Sequence, residues 1–143
     1  MNSQSLYSRI VLLDNWLKNQ EYKSHIELPQ TLPWIELQAA TGRHIPRTPG
    51  FYIVKLRDSS DILYIGKTVD LNRRISFLRG AIRTGKSPHS GGKRLRREMG
   101  ADLSRFEICW LETPNPQVAS LFERYLILSF CEEQSSMPIG NAE

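Results

Sequence analysis

Leu6, Ile10, Leu13 and Leu17 recur three and four residues apart, the spacing that lines one face of an α-helix, so a helix is expected near the start of the chain. A second short helix is expected where Thr31 can cap, Pro33 sits in the first turn and Gly42 stops it, with Trp34, Ile35 and Leu37 as its apolar residues. His44 to Pro49, with two prolines, reads as a connector. From Gly50 the period shortens to that of a strand. The runs Gly50 to Leu56 and Ile62 to Gly66 flank a polar turn at Asp58 to Asp61 and predict a hairpin. Asp70 can cap a helix whose apolar face is Leu71, Ile75, Leu78 and Ile82, ended by Gly85. A loop from Lys86 to Gly92 leads to a shorter basic helix around Lys93 to Met99. Arg105 to Leu111 reads as a third strand, and Asn115 followed by Pro116 starts a last helix running to about Cys131. Ser135 to Glu143 has no periodicity, and no internal repeat is present.

These elements predict an α+β fold: a small three-stranded antiparallel sheet flanked by helices, spanning residues 46–143, with an N-terminal helical extension over residues 1–45. The apolar stripe and Trp34 of the extension need burial, so it is expected to pack on the rest of the chain. The alternative is a surface for a second copy or a protein partner. A chain of 143 residues suits one core. No stretch approaches the length of apolar residues a membrane span needs, and Met1 to Ser5 lack the charged and apolar character of a leader, so the expectation is a cytoplasmic protein without membrane contact. Cys109 and Cys131, each inside an apolar run, read as reduced core residues.

Net charge is +4, but its placement matters more than its size. Lys67, Arg73, Arg74, Arg79, Arg83, Lys86, Lys93, Arg94, Arg96 and Arg97 face a single acid, Asp70, within one stretch, which carries +9 and leaves −5 for the remaining 112 residues. Such a field suits a polyanion, whose counterions are released when Lys and Arg approach. Charge alone does not separate DNA from RNA, and a solvated face without a partner has the same composition.

Two tyrosines, Tyr52 and Tyr64, lie in adjacent predicted strands, and Lys67 follows Gly66 directly. Tyrosine is ordinary in strands. Whether the two share a face depends on register: side chains alternate, so opposed positions whose numbers sum to an even value, such as 54 with 64, put both on one side. A shared face is expected. Arg74 lies in the first turns of the following helix, where a guanidinium can grip a phosphate in a fork that lysine cannot match. Glu123 interrupts an apolar stripe of Ala119, Leu126 and Ile127, and a carboxylate so placed needs a cation, either a metal or an arginine.

In order and spacing these pieces resemble the GIY-YIG nuclease family. Gly50-Phe51-Tyr52 is similar to its first motif, and Tyr64 through Arg74 to its second motif, which runs into a helix whose tenth residue after the tyrosine is arginine. Phe122 to Ile127 resembles the segment of the metal-binding glutamate, Pro138 to Asn141 that of an asparagine near the end of the domain, and His89 before Ser90 a histidine of the homing-endonuclease branch. The resemblance covers about residues 48–143. It implies a DNA endonuclease using one Mg²⁺ or Mn²⁺ ion. Tyr52 would activate or position the attacking water, Tyr64 would orient water or phosphate, and Lys67 would help Tyr52 lose its proton. Arg74 would stabilise phosphate charge, Glu123 would hold the metal, and His89 and Asn141 would complete the site. Arg73, Arg79, Arg83, Lys86, Lys93, Arg94, Arg96 and Arg97 would contact DNA. Two positions depart from the pattern: Phe51 replaces the usual isoleucine, and Leu78 stands where homing relatives carry histidine and repair relatives tyrosine. His89 is the residue able to replace that polar helper, although a histidine beside Pro88 and the Gly91-Gly92 pair is ordinarily exposed and idle. The competing reading is a catalytically inactive module of the same fold that only binds nucleic acid or protein.

Overall fold

The computed structural model describes residues 1–20 and 26–141, and over these the chain is α+β. In order come α1 (Ser3–Asn19), β1 (Ile35–Glu36), β2 (Gly50–Leu56), β3 (Ile62–Thr68), α2 (Leu71–Thr84), α3 (Ser90–Met99), β4 (Phe106–Glu112) and α4 (Pro116–Gln134). Residues 21–25 and 142–143, which belong to the expected segments 1–45 and 46–143, lie outside the described residues. The strands form one antiparallel sheet in the order β1-β4-β2-β3.

The sheet has four strands rather than three, and the fourth comes from the stretch read as a second helix. Ile35 pairs with Ile108 and Glu36 with Glu107, and a single 3₁₀ turn at Leu37–Ala39 follows. The interval between Pro33 and Gly42 holds barely two helical turns, too little for helix propensity to outweigh pairing with the otherwise open edge of β4. An ion pair of 2.8 Å between Glu36 and Arg57 ties this strand to the end of β2.

The other helices start and stop where their capping residues require. Asn2, Asp70 and Asn115 each accept a hydrogen bond from the backbone N–H three residues on, and Gly85 ends α2 in the left-handed conformation. Pro116 occupies the first turn of α4, where its missing N–H costs nothing.

Both faces of the sheet are covered, so β2 is buried over six successive residues instead of alternating. On one face Phe51, Ile53, Ile65, Cys109 and Leu111 meet α1 and α4 through Leu6, Ile10, Leu13, Leu17, Phe122 and Leu126. Phe51 and Phe122 stack at 4.8 Å, and fully burying a side chain of this kind contributes about 1.5–3 kcal/mol. The apolar stripe of α1 thus belongs to the central core, and Trp34 Nε1 donates to Ser3 Oγ at 2.9 Å to hold the N-terminal segment together. Cys109 is fully buried and Cys131 half-buried, and both are free thiols. On the opposite face Tyr52, Val54, Phe106 and Ile108 meet α2 and α3 through Leu71, Ile75, Leu78, Ile82 and Leu95.

Candidate active site

The position of Tyr64 depends on one extra residue. At the turn end of the hairpin Lys55 pairs with Ile62, an odd sum, and continuing that register would place Tyr64 opposite Ile53 on the α1/α4 face. A β-bulge at Leu63 shifts the pairing by one, so Val54 pairs with Tyr64 and Tyr52 with Gly66. Tyr52 and Tyr64 therefore share the α2/α3 face, as expected, with ring centroids 5.8 Å apart. The sequence carries one trace of the bulge: alternation fails in the run Ile62-Leu63-Tyr64-Ile65.

Tyr52 is wholly buried and Tyr64 partly exposed. Burial raises the hydroxyl pKa of both, that of Tyr52 strongly, because the phenolate loses water. Arg74 stands beside both phenols and partly offsets this; its Nη1 donates to the Pro88 carbonyl at 3.1 Å. The neighbouring Tyr64 adds to the rise at Tyr52, whereas the neighbouring Tyr52 eases ionisation of Tyr64.

His89 is not exposed and idle. It is fully buried, caps α3, and its ring lies edge-on to both tyrosines. Its Nδ1 accepts from the Gly92 backbone N–H at 2.9 Å, and its Nε2 lies 2.8 Å from the Tyr52 hydroxyl. A backbone amide can only donate, so the lone pair is on Nδ1 and the neutral ring carries its proton on Nε2, directed at the Tyr52 oxygen. Burial, reinforced by Arg74, lowers the imidazole pKa to about 3 and keeps the ring neutral. Leu78, at the position of the missing polar helper, is an apolar core residue.

Glu123 approaches from α4, which packs on β3. It is half-buried; burial raises its pKa, while Lys67 and Arg124 pull it down, and its charge is felt at Tyr64. Lys67 alternates onto the α4 side of β3 with Ile65, and its Nζ donates to Ser120 Oγ at 2.8 Å. Lys67, expected to act on Tyr52, stands in the Glu123 region, while the groups beside Tyr52 are His89, Arg74 and Tyr64. Among the described residues no three His, Cys, Asp or Glu side chains converge. One half-buried carboxylate fits a hard divalent cation that takes its other ligands from water and phosphate, and not a zinc-type centre of three or four protein ligands.

Asn141, expected in the catalytic group, instead clamps the backbone beside Tyr64: Ile65 N–H donates to its Oδ1 and its Nδ2 donates to Ile65 O, each at 2.9 Å. Sequence reasoning missed two glycines that shape the site. A β-carbon at Gly91 would lie 2.4 Å from Tyr64 Cε2, and one at Gly140 would lie 3.0 Å from Tyr64 Cδ2. The Gly91-Gly92 pair at the start of a helix, where glycine is a poor helix former, was the available signal.

The basic stretch divides into two groups. Arg79 donates to the carbonyls of Leu37 and Gln38, Arg94 to that of Gly140, and Arg96 to those of Ile82 and Arg83. These three hold loops and helix ends, whereas Arg73, Arg83, Lys86, Lys93 and Arg97 are exposed. Among the described residues no helix is long and apolar enough to cross a membrane.

No family model matches the chain, and no curated protein does. Among solved structures it is similar to the GIY-YIG N-terminal endonuclease domain of UvrC from Thermotoga maritima, in three point-mutant forms each described as bound to a catalytic divalent cation. Two tyrosine-to-phenylalanine mutants are 23% and 24% identical with TM-scores of 0.47, covering 70% of this chain and 89% of theirs. An asparagine-to-alanine mutant is 25% identical with a TM-score of 0.43, covering 61% and 81%. Similarity of this degree transfers no residue role, and the site rests on its own geometry.

Proposed function

We propose that the protein is a nuclease that hydrolyses DNA phosphodiester bonds with one Mg²⁺ or Mn²⁺ ion at Glu123. The observation that carries this reading is the convergence of Tyr52, Tyr64, Arg74 and His89, from two strands, a helix and a loop, into one polar cluster on an otherwise apolar face. Burying such groups is unfavourable unless they serve each other or a ligand. The donor chain runs from the Gly92 amide through His89 to the oxygen of Tyr52, and Tyr64 is the more exposed phenol. The full burial of Tyr52 beside a partly exposed Tyr64 supports Tyr64 as the group meeting the attacking water and Tyr52 as its support, reversing the assignment that the resemblance implies. Arg74 is suited to the phosphate. When bound, the divalent ion would polarise the phosphate and stabilise the leaving oxygen. DNA is the substrate the resemblance implies, and the exposed cations Arg73, Arg83, Lys86, Lys93 and Arg97 suit it by charge.

A Mg²⁺ titration of plasmid nicking, with matched RNA and branched substrates, tests this. Wild type should nick, and faster as pH rises, without a plateau by the ordinary phenol value of about 10, because burial raises the Tyr64 pKa. Glu123→Gln keeps the shape of the side chain but is a poor ligand for a hard cation, so the rate should fall on the order of 10² to 10⁴ with affinity and melting temperature retained. A stable Glu123→Gln protein that cuts at the wild-type rate refutes the metal-ligand role. Wild type that binds DNA without cutting returns the chain to the binding-module reading.

A further inference from the structure

Tyr64 occupies an edge strand, paired on one side only, next to a bulge that shifts the register by one residue. Slippage by one residue would carry it to the other face of the sheet and dismantle the cluster. The turn at 138–141 opposes this on both sides of Tyr64. Gly140 N–H donates to the carbonyl of the bulged Leu63 at 2.7 Å, and the Asn141 amide pairs with both backbone groups of Ile65. The turn also lies against the tyrosine itself: a β-carbon at Gly140 would come within 3.1 Å of Tyr64 Cβ and 2.9 Å of Leu63 O. The turn is held in place by Arg94, half-buried, whose Nη1 donates to Gly140 O at 3.2 Å. Arg94 follows Gly91 by three residues on α3, so one face of that helix provides both the space for the Tyr64 ring and the arm that draws the turn over it.

We propose that Arg94 is a positioning residue, the anchor of a latch in which the 138–141 turn pins the Leu63 bulge and keeps Tyr64 on the Tyr52 face. Its guanidinium is directed at a protein carbonyl, which separates it from the exposed cations of the same helix. The role of this latch in turnover rests on the nuclease reading; the latch itself does not.

The test compares Arg94→Ala with Arg97→Ala, which removes the same charge from an exposed position on the same helix. Amide hydrogen exchange, read by NMR, should accelerate about tenfold or more at Ile65 in Arg94→Ala, stay slow at Ile53 in the central strand, and be unchanged at both in Arg97→Ala. In cleavage assays Arg94→Ala should lower kcat about tenfold or more while KM and the salt dependence of binding stay near wild type. Arg94→Lys, which can still reach one carbonyl, should recover part of both effects. Arg97→Ala should instead reduce the salt slope of binding while exchange at Ile65 stays at the wild-type rate. Unchanged exchange at Ile65 overturns the latch, and an Arg94→Ala profile matching that of Arg97→Ala makes Arg94 a phosphate contact and overturns the positioning role. If wild type cuts no nucleic acid, the nuclease reading fails by itself and the exchange measurement still decides the latch.

Discussion

At the scale of single residues, His89 shows how a side chain's chemistry is set by what its second nitrogen touches. The Gly92 amide fixes the tautomer, and the fixed tautomer makes His89 a donor to Tyr52 rather than an acceptor of its proton. The pKa near 3 has a consequence for stability. Between about 6.5 and 3 an unfolded histidine binds a proton that the folded one refuses, so the contribution of His89 is complete above pH 6.5 and is lost as pH falls. At about 1.4 kcal/mol per pKa unit the loss reaches a few kcal/mol. Glu123, whose pKa is raised on folding, works in the opposite direction. His89→Asn keeps a good helix cap and removes both the imidazole and the donor to Tyr52. Urea midpoints from pH 7 to pH 3 should fall less steeply for His89→Asn than for wild type, and parallel curves would refute a buried neutral histidine. His89 is legible as a candidate only through the resemblance, because nothing local distinguishes a buried loop histidine from an exposed one.

At the scale of elements, the apolar stripe of α1, the cap, stripe and stop of α2 and the Asn115-Pro116 start of α4 are legible in the sequence because each acts within one or two turns of chain. The stretch around Ile35 is not, because its partner, Ile108, lies far away along the chain and offers an edge that helix spacing does not reveal. The glycine at position 91 in the first turn of α3 likewise answers to a distant residue, Tyr64. In a helix alanine is favoured over glycine by up to about 1 kcal/mol, so propensity predicts that Gly91→Ala stabilises. The 2.4 Å approach to Tyr64 Cε2 predicts the reverse: a lower melting temperature, or at best an unchanged one, with cleavage reduced as the ring is displaced. A more stable and fully active Gly91→Ala protein would show that the ring has room to yield.

At the scale of the whole molecule, the proposed DNA binding would turn the charge asymmetry into a salt dependence that belongs to particular residues. Replacing Lys86, Lys93 and Arg97 together by alanine should reduce the slope of log affinity against log salt by roughly 0.9 for each duplex phosphate deprived of its cation, with little change in stability. Replacing Arg96 should instead destabilise the protein, since it satisfies the last carbonyls of α2 at Ile82 and Arg83. An unchanged slope in the triple variant moves the DNA-facing surface elsewhere. In the sequence all of these cations belong to one stretch of positive charge, because charge is a property of composition whereas a partner is a property of position. The same distinction runs through the protein. The helices, the hairpin and the motif residues follow from local spacing and residue chemistry, which the sequence contains in full. The strand at Ile35, the burial of His89, the pairing of Lys67 with Ser120 and Asn141 with the Ile65 backbone, and the meeting of Tyr52 with Tyr64 were decided only by tertiary structure. Each depends on distant segments coming together, and the last depends on a single bulged residue whose presence reverses the side of the sheet on which Tyr64 stands.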